Sequence, residues 1–200
     1  MVENSIQKII NYKKVKEPHW FKAINETLIL LESNNFSWIS NLGIGGFGIV
    51  VEVENKSTRE KFAAKITLED KIKDSERKMW SSLSHENILP VIDIFSLAEP
   101  QTWVFLMPKQ KTSLDVILKT STLQSDENGL QRSLFWLQGI LEGVSYLHQQ
   151  KLCHLDFKDS NILINDLDKA VIADFGSLTC TDAGVNSYVS PFVYRSPEAL

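Results

Sequence analysis

Two hundred residues, 43% of them hydrophobic and 23% charged, match one ordinary folded domain and exclude a disordered chain. Lysine and arginine number 21 against 25 for aspartate and glutamate, a formal net charge of −4, so no overall basic surface favours nucleic acid as a partner. Two cysteines, Cys153 and Cys180, are too few for a disulfide framework and lack metal-ligand spacing, which suits a reducing compartment, cytoplasmic or nuclear.

No run approaches the roughly 18 apolar residues of a membrane span. The N-terminus, with Glu3 ahead of any apolar stretch, lacks the pattern of a secretory signal, so the sequons at Asn25, Asn35 and Asn55 read as chance matches. In residues 1–35, Ile6, Ile9 and Ile10 and then Phe21, Ile24, Leu28 and Leu31 recur at helical spacing, which predicts two short amphipathic helices broken at Pro18. Their charges form no basic face, so the expectation is an N-terminal helical extension packed on the domain that follows, its partner not specified by the sequence.

From Asn41 onward the period changes. Ile49, Val51 and Val53 alternate with Val50, Glu52 and Glu54, the stretch to Lys61 is turn material, and Lys61 to Leu68 reads as a second strand of an antiparallel hairpin. Lys73 to Leu83 reads as helix, with Met79, Trp80 and Leu83 facing a core. Thr120 to Gly129 is a polar loop. Leu134, Leu137, Leu141, Val144 and His148 then mark one face of a helix in spite of Gly139 and Gly143, each costing up to about 1 kcal/mol relative to alanine. Two short strands, Ile162 to Ile164 and Ala170 to Ala173, flank a turn at Asp166. Strands first and helix after argue an α+β fold, a small antiparallel sheet lobe followed by a helical one.

Gly43, Ile44, Gly45, Gly46, Phe47 and Gly48 form a G-x-G-x-x-G loop, which alone is a weak signal. A dinucleotide site needs the glycines to open a helix, and here they run into strand-patterned residues, so that reading loses. A glycine loop between antiparallel strands can instead lie over a triphosphate, its N–H groups approaching oxygens where a β-carbon would interfere, with Phe47 shielding them from water. Ala63 and Lys65 are two apart on the next strand and share a face, setting a small residue and a cation side by side. A strand lysine between Ala64 and Ile66 needs a carboxylate partner; Glu76 on the following helix is favoured over Glu69.

The most specific stretch is His154-Leu155-Asp156-Phe157-Lys158-Asp159-Ser160-Asn161, followed by Asp174-Phe175-Gly176 and Ser196-Pro197-Glu198. With the glycine loop and strand lysine, these five elements in this order resemble the eukaryotic protein kinase family of Ser/Thr type over about residues 36–200. The resemblance implies a protein-kinase-like bilobal fold, with an N-lobe over about 36–108 and a partial C-lobe over about 109–200, incomplete after the Ala-Pro-Glu-like motif. It implies an ATP-dependent phosphotransferase acting on Ser/Thr hydroxyls of protein substrates, with ATP and Mg2+ as cofactors. In that reading Asp156 orients the acceptor hydroxyl and takes its proton, Lys158 lies near the transferring phosphate, and Asn161 and Asp174 hold the metal. Lys65, fixed by Glu76, holds the α and β phosphates. Adenine lies between Val50 and Ala63 above and Leu163 below and bonds the backbone of Met107 to Lys109, with Leu106 at the gatekeeper position.

Lys158 looks like the Ser/Thr version of the loop. Leu155 stands where many family members carry arginine, so a phosphate on Thr179, Thr181, Ser187, Tyr188 or Ser190 has no evident partner there, and constitutive competence is expected over a phosphorylation switch. In the family a large helical subdomain follows Ser-Pro-Glu, whereas here the sequence stops at Leu200, which points to a piece of a longer kinase. The alternative is a truncated, catalytically inactive kinase-like binding module.

Overall fold

A computed structural model describes residues 18–45, 48–72, 74–120, 127–181 and 194. Two compact units divide them: the described residues up to Ile72 together with Val91–Lys109, and those from 74 to Pro90 together with the rest from Gln110 onward. Ile6, Ile9 and Ile10, the loop residues Gly46 and Phe47, the hydroxyls of Ser187, Tyr188 and Ser190, and Ser196-Pro197-Glu198 lie outside the described residues.

The first unit is a helix on a sheet. Helix α1 (Pro18–Ser33) starts at Pro18, whose missing N–H costs nothing in a first turn. Asn34 and Asn35 end it by donating their amides back to the last turn, with Asn35 in the left-handed region (φ 69°). Strands β1 (Phe36–Ile44), β2 (Ile49–Asn55), β3 (Lys61–Leu68), β4 (Asp93–Leu97) and β5 (Thr102–Pro108) form one sheet in the order β1-β2-β3-β5-β4, every neighbour antiparallel. The predicted hairpin forms, pairing Ile49 with Ile66 and Glu54 with Lys61. Alternation then sorts the side chains. Ile49, Val51, Val53, Ala64, Ile66, Val104 and Leu106 face one way and form a single core with Ile24, Leu28 and Leu31 of α1. Phe21, expected on the inner face of the helix, is instead 46% exposed, because the buried stripe runs through Ala23, Ile24, Thr27, Leu28 and Leu31. Thus α1 shares the sheet's core and belongs to its unit.

The second unit begins with the short helix α2 (Asp74–Met79), continued by a 3-10 turn at Trp80–Ser82. After β6 (Thr112–Ser113), α3 (Leu114–Lys119) and α4 (Glu127–Gln149) come β7 (Leu152–Cys153), β8 (Ile162–Ile164), β9 (Ala170–Ile172) and β10 (Thr179–Cys180). β6, β8 and β9 make one small sheet and β7 pairs with β10. The glycines of α4 have a packing reason. A β-carbon on Gly139 would stand 2.5 Å from Nδ2 of Asn87, and one on Gly143 only 2.8 Å from Cδ1 of Ile172 and 3.0 Å from the Asn87 carbonyl. Their absence lets Asn87 and β9 close against the helix. The face of α4 so buried carries Trp136, Gly139, Gly143 and Leu147, while the apolar stripe that announces the helix in the sequence, Leu134, Leu137 and Leu141, stays exposed.

Candidate active site

In the sheet unit the face opposite α1 carries Val50, Ala63, Lys65 and Met107 of the predicted nucleotide residues. Ile44, paired with Ile49, instead packs against the core shared with α1 because its register puts it on that side. Register sets Val50 across from Lys65, Lys65 across from Phe105, and Ala63 across from Met107. Lys65 is buried, 7% exposed. At the mouth of the glycine loop the Gly45 amide donates to the Gly48 carbonyl at 2.9 Å. A β-carbon on Gly48 would lie 2.3 Å from the Ile66 carbonyl oxygen, so only glycine lets β2 reach β3 there. Around Gly43 there is open space. Leu106 does not join this face. It pairs with Ala64 and sits in the core shared with α1, because in an unbroken register residues of odd and even number on β5 point to opposite sides. The β5 side chains on the lysine's face are Trp103, Phe105 and Met107. Glu69, the competing carboxylate, accepts the indole N–H of Trp103.

In the second unit the catalytic-loop residues converge on one carboxylate. Asp156 is buried, and its Oδ2 accepts hydrogen bonds from Nζ of Lys158 at 2.6 Å and from Nδ2 of Asn161 at 3.1 Å. The same Nδ2 donates to the Asp156 carbonyl at 2.8 Å, so Asn161 clamps backbone and side chain of the aspartate together. His154 supports the loop from below. Its Nε2 lies 3.0 Å from the Ala173 carbonyl and its Nδ1 accepts the Asp156 amide at 3.3 Å, an arrangement that requires the neutral ring with its proton on Nε2. Burial holds this imidazole below its ordinary pKa, against the opposing pull of the Ala173 carbonyl and of Asp174 and Asp156. Between the two, Leu155 takes a left-handed backbone (φ 61°), a strain of about 1–3 kcal/mol that this hydrogen-bond frame sustains.

The second acidic turn is locked to the first by aromatic packing. Asp174 is also left-handed (φ 62°, ψ 75°) and precedes a 3-10 turn, Phe175–Ser177. Phe175 is fully buried, with its ring centroid 5.4 Å from that of His154 and 5.5 Å from that of Trp80. Trp80 is held in turn by its indole N–H, which donates to the Leu89 carbonyl at 2.7 Å. Glu76, 1% exposed, approaches the same turn. A β-carbon on Gly176 would lie 3.3 Å from its Oε2 and 3.5 Å from Oδ1 of Asp174. On the outer side of the loop, Asp159 accepts the Tyr194 hydroxyl at 2.7 Å, and that carboxylate pushes the phenol's pKa up.

These turns, a buried aspartate clamped by a lysine and an asparagine and a left-handed aspartate on an aromatic column, lie within the stretch that a family comparison matches. The model of the protein kinase domain matches residues 36–200. The chain belongs to the protein kinase family. Among curated relatives it is 31% identical over 175 residues to the mitogen-activated protein kinase HOG1 of Eremothecium gossypii, covering 84% of this chain and 38% of that protein. The same figures hold for HOG1 of Saccharomyces cerevisiae with 39% of that protein covered, and HOG1 of Candida albicans is 29% identical with 45% covered. The chain thus spans about two fifths of the length of these kinases.

Of the predicted site residues, the structure brings Asp156, Lys158 and Asn161 into direct contact and sets Val50, Ala63 and Lys65 on one face. Leu163 lies on β8 across from Val171, half-buried. Two kinase residues carry more than the motif reading assigned them. His154 ties one acidic turn to the other, and Asn87 donates to the Ala170 carbonyl at 2.8 Å while its own carbonyl accepts the Ile172 amide at 2.8 Å. A glycine pair four residues apart in a helix was the available signal for Asn87, since it marks a close approach of backbone.

Proposed function

We propose that this kinase-family chain is the catalytic part of an ATP-dependent protein kinase that transfers the γ-phosphate to Ser or Thr hydroxyls of protein substrates. The observation that carries the reading is the Asp156 carboxylate, buried and hydrogen-bonded by Lys158 and Asn161 within 3.1 Å. Phosphoryl transfer asks the protein mainly for position and for charge to meet charge. Asp156 orients the acceptor hydroxyl and takes its proton. Lys158, bonded to that carboxylate, offers its ammonium to the transferring phosphate, and its presence in the loop supports a Ser/Thr acceptor. In the sheet unit Lys65 takes the α and β phosphates. The glycine loop covers the triphosphate with its amides, Val50 and Ala63 flank adenine from above and Leu163 from below, and the backbone from Met107 to Lys109 meets its edge.

The donor set fits Mg2+. Among the described residues no group of three or more His, Cys, Asp or Glu side chains is placed to hold a metal by itself, and Mg2+ in such sites takes only one or two protein ligands besides phosphates and waters. Asp174 supplies a carboxylate. Asn161 commits its Nδ2 to Asp156, so its amide oxygen is the atom it can offer a cation. The ion, when bound, neutralises charge on the transferring phosphate.

The test is transfer of labelled phosphate from ATP to a generic basic protein acceptor, with Asp156→Asn alongside. Transfer by the wild type that the variant loses supports the reading. A folded wild type that transfers nothing and shows no magnesium-dependent ATP binding overturns it.

A further inference from the structure

The sheet face that bears Val50, Ala63 and Lys65 also bears a carboxylate for which phosphoryl transfer has no use. Glu52 stands across from Ala63 in one direction and Ser40 in the other, and it is only 7% exposed. Its Oε2 accepts the Ser40 hydroxyl at 2.8 Å, and its Oε1 lies 3.3 Å from Nζ of Lys61 and 3.8 Å from Nζ of Lys109. Burial by itself raises the pKa of this carboxyl, but Ser40 and the two lysines outweigh it and hold the group below its ordinary value. It is therefore a buried charge with three partners from three places: β1, β3 and the segment after β5.

Such an arrangement adds little to stability, because desolvation of a buried pair consumes most of the Coulombic gain and an apolar residue serves as well. Val50, its neighbour on the same face of β2, is apolar. What the charge does supply is a tether. Lys109 is the end of the segment whose backbone the nucleotide reading assigns to adenine, and Glu52 is its ion-pair partner among the described residues. We propose that Glu52 is a positioning residue for the nucleotide, holding Lys109 and the end of the connecting segment against the sheet so that its backbone is set before adenine arrives. This rests on the nucleotide reading above. Preorganisation of this kind lowers the cost of ordering on binding and adds no contact to the transfer step. It therefore acts on nucleotide affinity and leaves the rate of transfer alone.

The experiment titrates the 200-residue chain with the fluorescent nucleotide mant-ATP, with and without Mg2+, for wild type, Glu52→Gln, Lys109→Met and the double variant, with thermal melts in parallel. Glu54→Gln, which removes the charge of the carboxylate paired with the exposed Arg59, is the control. Each single variant weakens binding about five- to tenfold, the double variant is no weaker than either single one, and the ATP KM rises by the same factor while kcat holds within about twofold. Glu52→Asp recovers part of the loss. Wild-type affinity in both single variants, or losses that multiply in the double, overturns the positioning role and leaves the nucleotide reading standing. A wild type without magnesium-dependent binding overturns that reading itself. Should Glu52→Gln fail to fold, Lys109→Met decides alone, since it removes a partly exposed amine and leaves the carboxylate with Ser40 and Lys61; unchanged affinity there refutes the tether.

Discussion

In the sheet unit, Val50, Ala63 and Lys65 come together because side chains alternate along paired strands, and the opposite face is sealed by Ile24, Leu28 and Leu31 of α1. In the helical unit, Asp156, Lys158 and Asn161 come together through three hydrogen bonds among loop residues, with His154 and Phe175 as props. The first is specified by burial, which is collective and tolerant of small changes. The second is specified by particular donors and acceptors, so one atom exchanged can abolish chemistry and leave the fold in place.

The sharpest test of that contrast is Asp156→Asn. It keeps the volume and removes the proposed base, so on that reading phosphate transfer falls by about 10²–10⁴-fold with a melting temperature close to wild type. A loss of activity accompanied by global unfolding would erase the distinction between the two units. On the sheet side the expected pattern is reversed. Leu28→Ala empties part of the core shared by α1 and the sheet, costing about 2–5 kcal/mol by urea unfolding, and activity per folded molecule stays near that of the wild type.

Gly143→Val probes the seam inside the helical unit. Its branched side chain meets Ile172 and the Asn87 carbonyl, and overpacking of this kind costs about 1–3 kcal/mol, again read by urea unfolding. A stability equal to wild type would show that α4 and β9 are not in close contact. The smallest effect is that of pH on His154. Its folded pKa lies below the unfolded value of about 6.5, so the neutral ring stabilises the fold above that pH. The contribution is lost as pH falls from about 6.5 toward the folded value. Unfolding free energy measured between about pH 7.5 and 5 declines more steeply in wild type than in His154→Gln, and equal slopes would remove His154 as a titrating prop.

Much of this was legible in the residues. The hairpin from Ile49 to Leu68 forms with the expected boundaries, because strict alternation and a polar turn leave little else for the chain to do. Ordered motifs singled out Asp156 and Asn161, which the fold joins by hydrogen bonds, and Asp174, which it sets in a left-handed turn. Leu106 was misplaced because spacing from a motif does not say on which face of a strand a residue falls; only pairing with Ala64 does. The face of α4 was obscured for a related reason. Leucines at helical spacing mark a helix, but the side that packs was chosen by Gly139 and Gly143, where the lack of a side chain is the packing feature. Phe21 shows the same ambiguity in α1.

Local pattern alone therefore decided the hairpin from Ile49 to Leu68, the helix that ends at Gln149 and the two short strands after the catalytic loop, and motif order pointed to the family, since period and residue chemistry are properties of neighbours along the chain. Tertiary structure decided which face of each element is buried, that α1 seals the back of the sheet, and that Glu52 reaches Ser40, Lys61 and Lys109 at once. Those outcomes depend on partners distant in sequence. Burial and hydrogen bonding reward only the groups that the fold has already brought within a few ångströms.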